Sequence, residues 1–226
     1  ADPVNPDRVY SMDTFLQYTD DAGKTWTRLS VKAKHVDDHA IWIDPQNNNH
    51  LIAGCDGGIY ESFDQGKTWR FFNNLPITQF YRVAVDYDEP YYNIYGGTQD
   101  NNTIGGPAQT RFGHGISNRE WDLILGGDGF EPAIDPTNPN IVYCQWQYGN
   151  LNRYDKLTGE TLDIQPMAEE GEILKWNWNS ALLISPHDNE RLYYACQYVY
   201  RSDDRGDNWT KISGDLTQQI DRNELE

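Results

Sequence analysis

Three features of the 226-residue sequence predict an all-β fold of repeated four-stranded antiparallel units. An octapeptide recurs as "TDDAGKTW" at 19–26, "SFDQGKTW" at 62–69 and "SDDRGDNW" at 202–209, always hydroxyl, then Asp, Gly and Trp. A second phrase precedes it: "DPVNPDRVY", "DPQNNNHLI", "DYDEPYYNIY", "DPTNPNIVY" and "SPHDNERLY". These begin at Asp2, Asp44, Asp86, Asp135 and Ser185, so they lie 42, 42, 49 and 50 residues apart. The third feature is what lies between: short alternating runs of β-formers bounded by Gly, Pro, Asn and Asp. A period of this size is that of one propeller blade. The predicted class is therefore a β-propeller of four-stranded antiparallel blades, with five blade repeats near 1–34, 35–76, 77–125, 126–173 and 174–218.

The second repeat shows each element in order. "HAIWID" alternates as strand A, Pro and Asn turn the chain at Asp44, "HLIAG" forms strand B, "DGG" turns again, and "IYESF" forms strand C. "DQGK" makes the last turn and "TWRFFN" is strand D. In the octapeptide the Asp side chain is expected to bond amides across its own turn, Gly to take a positive φ, and Trp26, Trp69 and Trp209 to pack between neighbouring blades. The third repeat lacks a recognisable octapeptide, the Gly-rich stretch 103–121 standing in its place as an expected lid; the fourth has only "RYDKLTGET". The first repeat begins after its strand A. The expectation is a larger propeller of about six to eight blades, with a self-closed ring of five as the alternative.

Composition excludes several function classes. With 8 Trp and 15 Tyr the chain has apolar mass for a core. A formal charge of -17, spread along the sequence, argues against nucleic acid, whose backbone needs clustered Lys and Arg. No apolar run approaches the roughly 18 residues of a transmembrane segment, and the first residues lack the apolar core of a signal peptide. Cys55, Cys144 and Cys196 follow apolar runs without metal spacing and read as small strand residues. No cofactor is expected.

The octapeptides closely resemble the Asp-box, or bacterial neuraminidase repeat, of sialidases, xyloglucanases and sortilin-like propellers. The passage from "HVDDHAIWIDP" through "GGDGF" to "KWNWNS" resembles a bacterial sortilin-like, glycosyl-hydrolase-like subgroup. That resemblance implies the propeller fold and an extracytoplasmic location, periplasmic, cell-surface or secreted. It transfers no catalytic residue. Xyloglucanases carry a catalytic Asp in a turn like "CDGGIY", although the spacing around Asp56 is one residue shorter. A sialidase would need three clustered arginines, and only Arg82 is placed near the expected site, with Arg111 and Arg119 in the long loop of the third repeat.

In such a blade the A–B turn and the octapeptide share one end of the sheet. The loops leading into strand A and the B–C turns share the other, around the expected channel mouth, and unusual side chains gather there. His35, His39, Gln99, Asn101, Tyr148, Trp176, Asn177 and Trp178 are candidate ligand-binding residues. The two tryptophans read either as sugar platforms or as inter-blade core. His35, Asp37 and His39 form H-x-D-x-H, which could ligate zinc or another divalent ion, or simply order the loop. Asp56, Asp100 and Asp128 are candidate catalytic acids, since a glycosidase needs two carboxyls about 5 to 9.5 Å apart; each also reads as a turn former. The leading expectation is a recognition propeller binding a glycan or peptide at this face, in partnership with the remaining blades or domains of a larger protein. A glycoside hydrolase and a purely structural surface module are the alternatives.

Overall fold

The computed structural model describes residues 1–75, 78–221 and 223. Pro76 and Ile77, in the loop before the third repeat, and positions 222 and 224–226 of the polar end lie outside the described residues. The chain is all-β and of the propeller class: among the described residues there are five consecutive antiparallel meanders, one of three strands and four of four, with a 3-10 turn over Asn118–Glu120. It divides into two compact units, 1–77 and 78–226.

The first unit holds two blades. One is the sheet β1 (Val9–Ser11), β2 (Gln17–Thr19) and β3 (Thr27–Arg28). The other is β4 (Asp38–Ile43), β5 (Leu51–Cys55), β6 (Gly58–Ser62) and β7 (Arg70–Phe71), hydrogen-bonded in that order. Tyr10, Leu16, Leu29, Leu51, Ala53, Tyr60 and Trp69 form its core. Alternation along the strands sends Tyr10, Leu51, Ala53 and Tyr60 inward, and Leu16, Leu29 and Trp69 join them from positions flanking the strands.

The second unit holds three blades. They are β8 (Phe80–Val85) to β11 (Asp122–Leu125), by way of β9 (Asn93–Thr98) and β10 (Thr103–Pro107); β12 (Ala133–Ile134) to β15 (Thr161–Asp163), by way of β13 (Ile141–Trp146) and β14 (Asn150–Asp155); and β16 (Ala181–Ser185) to β19 (Thr210–Lys211), by way of β17 (Asp188–Ala195) and β18 (Val199–Ser202). Tyr143, Leu151, Ile164, Leu192 and Tyr194 make one core cluster, and Tyr95, Ile124, Val142 and Cys144 another. All three cysteines are free thiols.

The three octapeptides fold identically. Ser62 donates to Asp64 Oδ1 at 2.8 Å and accepts from Gly66 N at 2.8 Å, while Asp64 accepts from Thr68 N and Thr68 Oγ1 at 2.8 and 2.7 Å. Thr19, Asp21, Gly23 and Thr25 repeat these bonds, as do Ser202, Asp204, Gly206 and Asn208. The turn needs two successive left-handed residues: Gln65 and Gly66 have φ of 60° and 85°, and the other two copies match. The expected role of Asp holds, but the first hydroxyl, 1% exposed in every copy, is what ties Asp to Gly.

Two expectations about these corners change. Trp69 is 8% exposed in the core and Trp209 packs in its cluster, donating to Ile164 O at 2.7 Å, but Trp26 is 44% exposed. Trp69 and Trp209 lean on the last strand of the preceding blade, near Leu29 and Ile164. Trp26 belongs to the first sheet of its unit and has no such neighbour there. The other change concerns 103–121. Its first five residues are strand β10, and the remainder joins β10 to β11, at the octapeptide end of the blade. Arg111 and Arg119 go with it, away from the end where a lid was expected.

Blades within a unit are also latched electrostatically. Arg205, between Asp and Gly of its octapeptide, reaches back to Asp135 at 3.2 Å, and Asn189 donates to both Asp135 oxygens at 3.1 Å. Lys156 reaches Asp86 at 3.1 Å in the same way, and Asn48 binds both oxygens of Asp2. The "DPxNP" Asp is thus both turn former and anchor for the next blade.

Candidate functional site

Strand order places the B–C turns and the loops leading into strand A together at the sheet ends opposite the octapeptides. The two units are taken separately. In the first, His35 is half-buried, with Nδ1 2.9 Å from Val36 O. Gly57 is forced to be glycine, since a Cβ there would sit 2.4 Å from His35 Cβ. Asp37 has φ 60° and its carbonyl accepts from Asp56 N at 3.2 Å. His39 is exposed, and its Nε2 lies 2.5 Å from Asp56 Oδ1. Beneath them is a pair the sequence reading missed: Lys34 Nζ to Asp38 Oδ1 at 2.5 Å, both side chains 2% exposed, with Lys34 also donating to His35 O. A lysine next to "HVDD" was the available signal. This pair fixes the backbone on which His35, Asp37 and His39 are carried, and unpairing it would leave a buried charge.

In the second unit the candidates separate into buried and exposed sets. Gln99 accepts from the Tyr81 hydroxyl, and its carbonyl takes a bond from Asn101 Nδ2 at 2.8 Å. Asp100, at φ 54°, donates its amide to Asp128 Oδ1 at 2.6 Å. Asp128 is 1% exposed. "GGDG" explains its position: Gly127 has φ 88°, and Gly129 passes so close to Asn102 and Gly97 that a Cβ would meet backbone at 2.8 Å. Gln145, near the end of strand β13, and Gln197, in the β17–β18 turn, are buried and consumed internally. Gln145 accepts from Ser180 N at 3.1 Å, and Gln197 accepts from Lys175 N at 2.6 Å and donates to Ile173 O at 2.8 Å.

Trp176 and Trp178 part company. Residues 174–180 form no strand, so the two indoles need not share a face. Trp176 is half-buried against Tyr194, with ring centroids 4.9 Å apart, and belongs to the core. Trp178 is 45% exposed and meets Tyr148, 60% exposed, edge to face at 5.1 Å. Tyr148 sits at φ 61° in the β13–β14 turn, followed by Gly149 at 75°, where a Cβ would strike Trp176 at 2.2 Å. The half-buried indole therefore props the turn that presents Tyr148. Asn177, also exposed, lies between the two tryptophans. An exposed aromatic pair from consecutive blades, with the Asn177 amide beside it in sequence, is suited to stacking on a flat ligand while hydrogen-bonding its edge.

Residues 17–28 and 60–71 match the BNR/Asp-box repeat family. The chain carries Asp-box repeats. The third copy, at 202–209, has the same hydrogen bonds. The chain is 23% identical to the xyloglucanase Xgh74A of Acetivibrio thermocellus, over 94% of its own length and 32% of the enzyme's, so it spans about a third of that relative. Among solved structures it is similar to the GH74 enzyme of Niastella koreensis, at 16% identity and a TM-score of 0.41 over 93% of this chain and 37% of that one. It is also similar to an auxiliary nutrient binding protein of Bacteroides thetaiotaomicron, at 16% identity and 0.42 over 81% and 43%. Among the described residues no helix is long and apolar enough to cross a membrane.

Proposed function

We propose that the chain is a carbohydrate-recognition module of an exported bacterial protein, with Tyr148 and Trp178 as its stacking platform and Asn177, Asn101 and Gln99 as polar partners. The observation that carries this reading is the exposed edge-to-face pair itself. A positive-φ turn and the half-buried Trp176 hold one of the two rings outward. The relationship to a xyloglucanase supports a polysaccharide as the ligand class. Binding is favoured over hydrolysis because Asp128 is buried, with Oδ1 engaged by the Asp100 amide, rather than presented to a substrate.

The test is affinity electrophoresis and calorimetry with xyloglucan and soluble β-glucan oligosaccharides. Trp178→Ala and Tyr148→Ala should each weaken binding about tenfold, by loss of stacking, without lowering the melting temperature much. Unchanged affinity in both variants overturns the platform. Steady release of reducing ends by the wild type, lost in Asp128→Asn, would instead establish the hydrolase reading.

A further inference from the structure

A cleft of about 820 Å³ opens beside the loop that leads into β16, lined by Lys175 and Trp176 of that loop and by residues 217–221, which follow β19. Both segments hang from Gln197, a residue 5% exposed. Its side chain accepts from Lys175 N at 2.6 Å and donates to Ile173 O at 2.8 Å, while its carbonyl accepts from Leu216 N at 2.9 Å. One buried residue therefore sets the spacing of the two segments. Past Leu216 the chain is turned by its own side chains. Asp215 Oδ1 accepts from Thr217 N at 2.8 Å and from Thr217 Oγ1 at 2.7 Å, the Thr217 hydroxyl accepts from Gln219 N at 3.3 Å, and Gln219 takes a φ of 57°. The Thr217 hydroxyl and amide and, at longer range, the Lys175 ammonium hold the Asp215 carboxyl below the usual carboxylate range, so the two segments also attract one another.

We propose that this cleft is a second carbohydrate subsite, receiving the sugar residues that follow those stacked on Tyr148 and Trp178. It rests on the reading of that pair as a platform. In sequence Asn177 alone separates Trp176, which lines the cleft, from Trp178 on the platform, so one short loop carries both. The lining is formally neutral, one lysine against one aspartate, and so favours neither a polyanion nor a polycation. The half-buried indole and the Ile220 side chain offer apolar surface, while Thr217, Gln218 and Gln219 offer both donors and acceptors. A pyranose ring, apolar on its faces and ringed by hydroxyls, asks for that combination. The volume falls within the roughly 300 to 1,000 Å³ of small-ligand pockets. Gln218, Gln219 and Ile220 are exposed, which leaves their side chains available to a ligand.

Calorimetry with a β-glucan disaccharide and a β-glucan hexasaccharide tests the subsite. The wild type should bind the hexasaccharide about tenfold or more tighter. A variant with both Gln218→Ala and Gln219→Gly, in which glycine keeps the left-handed turn, should lose about tenfold on the hexasaccharide and nothing on the disaccharide, at an unchanged melting temperature. Trp178→Ala should weaken both ligands. Equal hexasaccharide affinity in the wild type and the double variant overturns the cleft, and leaves the platform standing if Trp178→Ala still weakens both. Loss in the double variant alone keeps the cleft and overturns the platform. An equal loss on the two ligands in the double variant overturns a separate subsite, and no binding of either oligosaccharide overturns cleft and platform together.

Discussion

Ser62 shows how much one hydroxyl can carry. It is buried, it donates to the Asp64 carboxylate, and it accepts from two amides, Asp64 N and Gly66 N, across a turn of two left-handed residues. Ser62→Ala leaves both amides and one carboxylate oxygen short of a partner. The expected cost is about 1 to 3 kcal/mol, read as a lower urea midpoint with an unchanged slope. A loss below about 0.5 kcal/mol would mean the turn is held by Asp64 alone. The octapeptide spelled out these four positions, because every bond is local and fixed by spacing. Asp128 is the opposite case: "GGDGF" advertised a special backbone, but only the crossing of Gly129 over Gly97 and Asn102 decides that the carboxylate points inward.

At the scale of elements, the corner tryptophans test what joins one blade to the next. Trp69 lies in the core with Leu29 of the preceding blade, and Lys34 sits 5.5 Å from its ring. Trp69→Ala should cost about 3 to 5 kcal/mol, whereas Trp26→Ala, half out in solvent, should cost under about 1 kcal/mol. Equal losses in thermal melts of the two variants would refute the inter-blade account. The sequence offered both residues in the same motif, and only the presence of a preceding sheet tells them apart. The 103–121 segment teaches the same lesson. Its glycines suggested a loop, yet Gly105 and Gly106 lie in β10 because Tyr95 and Trp121 occupy the space their side chains would need.

For the whole molecule, the carboxylates of turns and octapeptides set the response to acid. The Thr19 and Thr25 hydroxyls and the Thr25 amide hold Asp21 down to about 2, against an ordinary 3.8. The Asn208 side chain and amide hold Asp204 low. For Asp64, Asp86 and Asp135 burial pushes upward, but hydrogen bonds from Thr68, from Asn93, and from Thr137 with Asn189 outweigh it, so each is lowered. Folded values below unfolded ones contribute stability that is complete above about pH 4 and is lost as pH falls through the folded values toward about 2. Unfolding followed by tryptophan fluorescence should therefore show no loss from these groups between pH 7 and 5 and a steep loss below 4. Stability that rises on acidification from 5 to 3 would contradict this linkage.

Period, turn chemistry and strand alternation settled the fold class and the octapeptide corners, because these depend on contacts within a few residues or across a hairpin. Which end of a sheet each turn occupies also followed, since antiparallel order alone fixes it. Packing between blades was decided in three dimensions. It sent Trp176 into the core and Trp178 outward, enclosed Asp128, and consumed Gln145 and Gln197. None of these outcomes is written in spacing, because each depends on which side chain from another turn fills the space first.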